Sequence, residues 1–398
     1  MANVLVNLIG DQMAPNVMLV QDRAFEHIDR YLFISTPEME HKKRVIHLVK
    51  ALGLRTTQYH KIVVKADDLQ DIREQLEQLE VEKGADDYFV NLTGGTKMMS
   101  LGVFAFFSQA RVKVRMYYIP VGQQVFWQIF PSAEYKMMPL TANIGLATYL
   151  TSYGVWWQNY PVREKLTFPI AYTERVFDWF LNKKARYTEK KERFGWFVHQ
   201  LRQQYNDNRN EPVGINAVRY LDEFLQEIEF ANEIKGQLSV AETEYLIGGW
   251  FEEWAFYRIK KRLGLPPGTI WRNVRVQGLT DMQELIDHEF DILFMFQNTL
   301  YVLECKLGLG NNYSAVKKRL DETLYRLRAL NRALGINVPT GFLTLSDQLS
   351  NKSGEKRKAF EDRTKTLRIT LLDLHDLRSP EEDWVAKLAL SGDFSSRT

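Results

Sequence analysis

The 398-residue sequence has a single cysteine, Cys305, so it cannot form a disulfide within the chain or a zinc site with two or more thiolates. A reducing compartment is expected. The sequence also has no excess of one charge, because 52 Lys and Arg stand against 50 Asp and Glu, a formal net charge of +2. Overall charge therefore gives no reason to expect nucleic-acid binding, and any such site has to be local.

Long apolar runs are absent as well. No segment reaches the ~20 apolar residues of a membrane span, and the N-terminal residues lack the pattern of a signal peptide. We therefore expect a cytoplasmic protein without a membrane partner. The composition that remains, 45% hydrophobic and 26% charged, is that of a folded protein. Single cores stop growing near ~250–300 residues, so two domains are expected.

The first 130 residues alternate short apolar runs with amphipathic stretches, which is typical of parallel strands joined by helices. The predicted strands are residues 4–9, 31–34, 59–64, 88–92, 112–119 and 125–130. The predicted helices are residues 41–52, 68–82 and 98–110. This pattern indicates a Rossmann-like α/β domain, in which a ligand is expected at the loops after the first, second and fourth strands.

The remaining sequence predicts a connecting region and a second α/β domain. Residues 139–159 show no period, which indicates the passage between two domains. The predicted helices are residues 172–185, 190–205, 215–231 and 242–263, and the predicted strands are 270–277, 289–296, 299–306, 341–345 and 366–371. We expect a Rossmann-like domain at 1–140, a linker and helical region at 141–240, and the second domain at 241–398.

Two apolar runs flank Gln297-Asn298 and predict a β-hairpin. With a two-residue loop, paired residues have numbers that sum to 595, so Asp291 faces Glu304. Lys306 lies on the same face because side chains in a strand repeat with period two. Facing carboxylates repel unless a cation lies between them, which favours a Mg or Mn site with an adjacent ammonium. The alternative is a solvent-exposed salt bridge between Glu304 and Lys306.

A third acid is expected from the helix at 242–263, where either Glu252 or Glu253 could reach the hairpin. A helix acid, a strand Asp and a Glu-x-Lys strand resemble the core of the PD-(D/E)XK nuclease superfamily. The resemblance implies a catalytic set of Glu252, Asp291, Glu304 and Lys306. It further implies a divalent metal held by Asp291, by Glu304 and by the backbone carbonyl of Cys305.

The loop Asn91-Leu92-Thr93-Gly94-Gly95-Thr96-Lys97 follows the fourth strand and precedes a helix. Its glycines allow a ligand to approach the backbone, and the helix N-terminus offers unpaired N–H groups. Thr93, Thr96 and Lys97 add donors, so a phosphate-like anion is expected. The spacing is neither that of a P-loop nor that of a dinucleotide fingerprint. The alternative is a tight turn with no ligand.

This loop resembles the signature of the CARF domain, the sensor of type III CRISPR ancillary proteins that binds cyclic oligoadenylates. The first and second strands end at further ligand-side positions. The resemblance implies a binding set of Gly10, Asp11, Gln12, Thr36, Thr93, Gly94, Gly95, Thr96 and Lys97. A CARF domain followed by a PD-(D/E)XK domain resembles the CRISPR ancillary nucleases that cyclic tetra-adenylate activates. It implies a metal-dependent endonuclease that cleaves single-stranded DNA or RNA, and the two-fold symmetry available to such a ligand predicts a homodimer.

Two other functions are open. Many CARF proteins carry a HEPN ribonuclease domain, marked by Arg and His four to six residues apart, and Arg193 and His199 fit that spacing. This alternative predicts metal-independent RNA cleavage. The second alternative is a transcriptional regulator whose middle helices bind DNA. Against it, no segment concentrates Lys and Arg on one recognition helix, and the acidic pair would repel phosphates without a metal.

Overall fold

The structure is a computed structural model that describes residues 2–79, 87–157, 164–181, 187–207, 211–279, 285–309, 312–335, 338–351, 353–378 and 383–390. These residues form two α/β units, each built on one main β-sheet, and the two units share a buried apolar cluster. Among the helices in the described ranges, none combines the length and the apolar character needed to cross a bilayer.

The N-terminal unit contains a seven-stranded sheet. Its strands are β1 (Asn3–Leu8), β2 (Arg30–Ser35), β3 (Tyr59–Val63), β4 (Asp87–Asn91), β5 (Val114–Tyr118), β6 (Val125–Phe130) and β7 (Lys136–Pro139). The spatial order is β3-β2-β1-β4-β5-β6-β7, in which β1 to β5 are parallel and β6 and β7 are antiparallel additions. The direction in which strands are added changes between β1 and β4, and sheets of this kind bind ligands at that switch point.

Helices cover both faces of this sheet. They are α1 (Ala14–Gln21), α2 (Pro37–His41), α3 (Arg44–Leu52), α4 (Leu69–Glu77), α5 (Lys97–Gln109) and α6 (Leu146–Ser152). Alternate strand residues feed two apolar layers, as a period of two requires. Leu5 and Phe33 pack with α1, α3 and α6, whereas Val6 and Leu32 pack with α4 and α5.

The passage between the domains predicted at residues 139–159 contains, over its described part, α6 and the short strand β8 (Trp156–Trp157). Helix α6 packs between the two units: Leu146 and Leu150 are fully buried, and Tyr149 and Tyr153 are nearly so. A short helix with apolar surroundings on several sides shows no clear amphipathic period.

The middle region packs on the C-terminal unit. It contains α7 (Ile170–Leu181), α8 (Tyr187–Asp207), α9 (Leu221–Glu227) and a small sheet of β9 (Val213–Gly214) and β10 (Gln237–Leu238). The segment predicted as one helix at 242–263 consists of α10 (Val240–Glu244), a π-helical turn (Tyr245–Gly249) and α11 (Trp250–Leu263). Its regular course breaks at Gly248, whose backbone is not helical. Val176 and Phe177 of α7 join the same apolar cluster as Trp250 and Trp254 of α11.

The C-terminal unit contains a six-stranded sheet. Its further strands are β11 (Ile270–Leu279), β12 (Leu285–Phe296), β13 (Thr299–Lys306), β14 (Thr340–Thr344) and β15 (Ile369–Leu372), in the order β15-β14-β13-β12-β11-β8. The remaining helices are α12 (Tyr313–Leu334), α13 (Lys358–Leu367), α14 (Leu374–Arg378) and α15 (Trp384–Leu390). The strand predicted at residues 366–371 begins only at Ile369, because α13 extends to Leu367.

The hairpin of β12 and β13 has the predicted register. Phe296 pairs with Thr299 and Ile292 with Leu303, so paired numbers sum to 595. Gln297 (φ 49°) and Asn298 (φ 56°) both adopt the left-handed conformation that a two-residue type I′ turn requires.

One face of this hairpin is part of the core that joins the two units. Leu293 and Val302 belong to the same buried cluster as Leu5 and Phe33 of the N-terminal sheet. The alternating residues, such as Leu303, pack instead against α11.

Candidate functional site

Asp291 and Glu304 meet at the end of the hairpin, and Lys306 lies between them. Its Nζ is 2.7 Å from Oε1 of Glu304 and 3.3 Å from Oδ2 of Asp291. Oδ2 of Asp291 also accepts a hydrogen bond of 2.7 Å from the backbone N–H of Cys305. The Glu304 side chain is only 2% exposed, so a solvent-exposed salt bridge does not describe this group.

Two neighbours of this cluster, Arg326 and His288, were not predicted from the sequence. The guanidinium of Arg326 on α12 donates a hydrogen bond of 3.0 Å to Oε1 of Glu304 across 22 residues of sequence. His288 on β12 lies within reach of the charges of Glu304, Arg326 and Lys306, although burial is the main reason why its pKa is lowered. No local pattern marks either residue, since both are brought to the site by strand and helix packing.

The structure distinguishes the two helix acids. Glu253 is buried in an ion pair of 3.0 Å with Arg272, and it accepts a hydrogen bond of 2.9 Å from the backbone N–H of Thr167. Successive helix residues point about 100° apart, so Glu252 has a different direction. Glu252 lies close enough to Asp291 for that charge to act on its pKa. Glu252 is therefore the helix acid that accompanies the hairpin.

The acids of the site lie in an environment that resists their ionisation. Burial and then the charge of Asp291 raise the pKa of Glu252 to about 8. Burial and then the charge of Glu304 raise the pKa of Asp291 to about 6. Burial alone would lower the pKa of Lys306, but Asp291 and Glu304 outweigh it and raise the pKa, so the ammonium persists. An additional cation would relieve the repulsion between the carboxylates.

The donor atoms present fit a divalent cation. Oε2 of Glu304 is buried and has no hydrogen-bond partner in the described part of the chain. Together with the Asp291 carboxylate it offers hard oxygen donors of the kind that Mg and Mn prefer. Burial raises the pKa of the Cys305 thiol well above its usual range, so the thiol stays neutral. No group of three or more His, Cys, Asp and Glu side chains that could hold a metal occurs within the described ranges.

The predicted sensor residues lie at the carboxyl ends of three adjacent strands. Gly10 to Gln12 follow β1, Thr36 follows β2 and Thr93 to Lys97 follow β4. The loops after β1 and β4 touch, because a Cβ at Gly10 would lie 3.0 Å from the backbone nitrogen of Gly95. A Cβ at Gly94 would lie 2.0 Å from the carbonyl oxygen of Leu8, so only glycine fits there.

The threonine hydroxyls of these loops are used by the fold. Thr36 caps α2 and Thr96 caps α5, each by accepting a backbone N–H, from Met39 and from Met99 respectively. Oγ1 of Thr96 also donates to the carbonyl of Ala66 at 2.6 Å, and Oγ1 of Thr93 accepts the N–H of Ile119 at 2.9 Å. Thr96 therefore donates its hydroxyl proton within the fold, whereas Thr93 only accepts and keeps a proton that it can donate to a phosphate. The place of these residues in the binding set stays a prediction.

The charged residues of the sensor loops differ in their surroundings. Asp11 forms ion pairs with Lys42 at 2.8 Å and with Arg44 at 3.7 Å. Lys97 is exposed at the first position of α5 and forms no ion pair with the residues that the structure describes. Gln12 is exposed as well. The loops therefore offer an accessible ammonium beside a helix N-terminus, which is an environment suited to an anion.

A buried group of asparagines supports these loops and was not predicted. Nδ2 of Asn91 donates to Oδ1 of Asn7 and to Oδ1 of Asn16, each at 3.0 Å. Nδ2 of Asn16 donates in turn to the carbonyl of Leu8 at 3.1 Å. The side chains tie the ends of β1 and β4 to α1, which holds the two loops in a fixed relation.

The hairpin turn is bound to the N-terminal unit through Asn298. Its Nδ2 donates to the carbonyl of Ala142 and to Oε1 of Gln124, each at 2.9 Å, and its Oδ1 accepts the N–H of Ile144 at 2.9 Å. Nε2 of Gln124 donates back to the carbonyl of Gln297 at 2.6 Å. The hairpin that carries Asp291 and Glu304 is thus held at its other end by the N-terminal unit.

A second connection runs through two buried tyrosines. The hydroxyl of Tyr153 accepts the backbone N–H of Met13, directly after the β1 loop, at 3.2 Å. The ring of Tyr153 stacks on that of Tyr149 with centroids 4.7 Å apart. The hydroxyl of Tyr149 donates to the carbonyl of Leu334, the last residue of α12, at 3.0 Å. The same helix carries Arg326 to Glu304.

The motif of the ribonuclease alternative receives no support from its position. His199 is exposed on α8, and the side chain of Arg193 lies outside the described part of the chain. His199 also lies on the middle helices rather than on either sheet. Within the part of the chain that the structure describes, His199 has no hydrogen bond or ion pair with the cluster around Glu304.

Two family models match the chain at the positions of its two units. The Card1 CARF domain matches residues 4–149, and the Card1-like endonuclease domain matches residues 240–384. Together they cover well over half of the sequence. The fold and the sites therefore define a sensor domain joined to a nuclease domain, and the chain belongs to the Card1 family of CARF endonucleases.

Solved structures share this two-unit fold. VC1899 from Vibrio cholerae aligns with a TM-score of 0.76 at 15% identity over 98% of this chain and 99% of that chain. Can2 from Sulfobacillus thermosulfidooxidans, solved in complex with cyclic tetra-adenylate, aligns with a TM-score of 0.69 at 18% identity over 98% and 99%. A type III CRISPR defence DNA nuclease activated by cyclic oligoadenylate aligns with a TM-score of 0.51 at 16% identity over 91% of this chain and 51% of that chain. No curated protein matches the sequence significantly.

Proposed function

We propose that the protein is a metal-dependent endonuclease of the PD-(D/E)XK type that cyclic tetra-adenylate activates in type III CRISPR defence. The observation that carries the nuclease chemistry is the convergence of Asp291, Glu304 and Lys306, with one buried oxygen of Glu304 left without a hydrogen-bond partner. Membership of the Card1 family supports the pairing of a sensor with a nuclease. The ligand in the Can2 complex supports cyclic tetra-adenylate as the activator.

The residues of the centre have separable roles in this proposal. Asp291, Glu304 and the carbonyl of Cys305 would hold a Mg or Mn ion, with Glu252 nearby. When bound, such an ion lowers the pKa of a water and neutralises charge on a phosphodiester. The ammonium of Lys306 orients the attacking water and offsets the negative charge that develops on the phosphate. Arg326 fixes the direction of the Glu304 carboxylate through its hydrogen bond of 3.0 Å.

The sensor loops would bind the activator at the switch point between β1 and β4. Phosphates are expected at the N-terminus of α5 near Lys97, with the glycine pair close to the ligand. Asp11 and Gln12 line the same edge. Binding alters the nuclease only if the activator prefers one arrangement of the two units. The Asn298 contacts and the stacked pair of Tyr149 and Tyr153 are the connections through which that preference would act.

A homodimer is the assembly that we propose for the sensor. A cyclic tetranucleotide can have two-fold symmetry, and two copies of one loop can read it with identical contacts. Helix α5, which begins at the binding loop, exposes apolar residues that a partner would cover, namely Leu101 (59% exposed) and Phe104 (38% exposed). Sedimentation of the purified chain tests this assembly, and a monomer at micromolar concentration with and without cyclic tetra-adenylate would contradict it.

The decisive experiment is cleavage of labelled single-stranded DNA and RNA with Mn, with and without cyclic tetra-adenylate. Glu304→Gln keeps the size of the side chain but removes its charge, and we expect activity to fall about 100-fold to 1,000-fold with activator binding unchanged. The matched control is Glu26→Gln, which removes the same charge from an exposed position of the N-terminal unit, away from the hairpin and from α12. Activity of Glu304→Gln equal to that of the control would exclude this site.

Chelation separates the proposal from the ribonuclease alternative. With EDTA, we expect cleavage of both DNA and RNA to stop and to return when Mn is added in excess. His199→Ala should cleave like the wild type. RNA cleavage that continues in EDTA and disappears in His199→Ala would assign the activity to the middle helices instead.

A further inference from the structure

The exposed face of α12 carries more basic than acidic side chains. Exposed or half-buried Lys317, Lys318, Arg319, Arg326 and Arg328 lie on this helix, opposed by two acids, Asp321 and Glu322. At about 100° per residue, Arg319 and Arg326 lie on one flank of the exposed face and Lys318 lies about 80° from Arg326, whereas Lys317 and Arg328 lie on the other flank. The basic side of α12 is therefore defined by Lys318, Arg319 and Arg326.

Most of this charge is not neutralised locally. Asp321 is engaged by Arg363 at 3.4 Å. Among the residues that the structure describes, neither Lys318 nor Arg319 forms an ion pair with a carboxylate. Exposed cations without acidic partners keep their full attraction for an anionic ligand.

The basic side of α12 leads directly to the proposed metal centre. Arg326 contacts Glu304 at 3.0 Å. Arg319 lies seven residues earlier, which is two helical turns and ~10.5 Å along the same side of the helix. A strand that contacts Arg319 and continues past Arg326 therefore arrives at Asp291 and Lys306.

A second element contributes to this surface. Arg202 on α8 is exposed, and its guanidinium donates a hydrogen bond of 2.7 Å to the carbonyl of Ile247, five residues before Glu252. The chain around Ile247 partly covers this guanidinium, and that desolvation and then the charge of Arg319 lower the pKa of Arg202, so Arg319 lies near enough for its charge to act. Neither forms an ion pair with a carboxylate in the described ranges. Two such groups from separate helices provide the geometry that arginine uses to bind phosphate.

The surface also offers a base-stacking position. Tyr325 lies next to Arg326 and is 51% exposed. The guanidinium of Arg363 lies 5.2 Å from the centre of its ring. Aromatic rings interleaved with cations are typical of surfaces that bind single strands, because unpaired bases stack while their phosphates contact Lys and Arg.

We infer that the basic side of α12, together with Arg202, holds the phosphates of a single-stranded nucleic acid and leads the strand to Glu304. The inference rests on the proposed nuclease function and adds the surface on which its substrate lies. It predicts binding that depends on salt and is largely independent of base sequence.

The test is binding of fluorescently labelled single-stranded DNA in EDTA, measured by anisotropy over a series of KCl concentrations. We expect Arg319→Ala and Lys318→Ala each to weaken binding about threefold to tenfold, and to reduce the slope of log K against log salt by about 0.7 for each phosphate that is no longer neutralised. The weakening should be the same for strands of different sequence. Lys136→Ala, which removes an exposed lysine of β7 in the N-terminal unit, is the matched control.

The outcomes separate this inference from the proposed function. Wild-type affinity and salt slope in Arg319→Ala and in Lys318→Ala would overturn the inference even if the protein cleaves DNA on activation. Reduced binding in these variants would support it even if cyclic tetra-adenylate fails to activate cleavage, because EDTA excludes catalysis. Duplex DNA bound as tightly as a single strand would overturn the choice of a single-stranded ligand. Unchanged melting temperatures show that the variants are folded.

Discussion

The sensor loops and the nuclease centre are built from different kinds of groups. At the sensor, shape dominates: Gly94 leaves no space for a Cβ, and the hydroxyl of Thr96 donates to the backbone carbonyl of Ala66. At the nuclease centre, charge dominates, because Asp291 and Glu304 are held together by the ammonium of Lys306. The first site should therefore be sensitive to volume and the second to protonation and to cations.

The largest effect on activator affinity is expected from Gly94→Ala. The added Cβ would lie 2.0 Å from the Leu8 carbonyl, so the loop has to move. Displacement of binding groups by about 1 Å can cost about 100-fold, and we expect a loss of that size in affinity for cyclic tetra-adenylate. Calorimetry measures it. Gly214→Ala, where the Cβ meets nothing closer than 3.8 Å, serves as the control, and equal affinity in the two variants would refute a shape-determined site.

The connection between the two sites is tested by Asn298→Gly. Glycine retains the left-handed turn but removes all three side-chain hydrogen bonds to the N-terminal unit. We expect activator affinity to remain, whereas activator-dependent cleavage falls about tenfold, a coupling of ordinary size. Gln297→Gly changes the neighbouring, exposed residue of the same turn. If both variants respond equally to cyclic tetra-adenylate, Asn298 does not transmit the signal.

A smaller effect is expected from Lys97→Ala. Its ammonium is exposed, so solvent screens its attraction for a phosphate, and the loss in activator affinity should be about threefold to tenfold. The salt dependence of binding should become weaker. Activity at saturating activator should stay unchanged, since the lysine is remote from Glu304. Wild-type affinity at low salt would remove Lys97 from the binding set.

The last prediction concerns Glu252 and the stability of the metal-free protein rather than binding or cleavage. The pKa of Glu252 rises from 4.5 to about 8 on folding, so the folded state retains a proton that the unfolded state releases. The free energy of unfolding should therefore fall as pH rises from about 4.5 to about 8. Glu252→Gln should flatten this dependence in EDTA, as measured by urea unfolding at several pH values. An identical pH profile in both proteins would mean that Glu252 is not held near Asp291.

Much of the fold follows from local pattern. The alternation of apolar runs and amphipathic stretches located β1 to β6, and the turn at Gln297-Asn298 set the hairpin register that places Asp291 opposite Glu304. By contrast, α6 lacks a clear period because it is buried between the two units. A short local pattern shows which face of a helix or strand is buried. It shows little when nearly every face is buried, as in α6.

The residues of the nuclease centre also fall into those that the sequence predicts and those that it does not. Glu252, Asp291, Glu304 and Lys306 were selected from spacing and from family resemblance, and the structure brings them together, although their catalytic roles stay predictions. Sequence could not choose between Glu252 and Glu253, because the choice depends on Arg272, a distant partner that engages Glu253.

The order of the two α/β units and the chemistry available in each follow from the sequence, because strand alternation, turn residues and short motifs act over a few neighbouring positions. Three relations depend on packing instead: which helix acid faces the hairpin, the contact of Arg326 with Glu304, and the binding of Asn298 to the N-terminal unit. Those relations join residues far apart in the chain, and they arise from how helices and sheets pack.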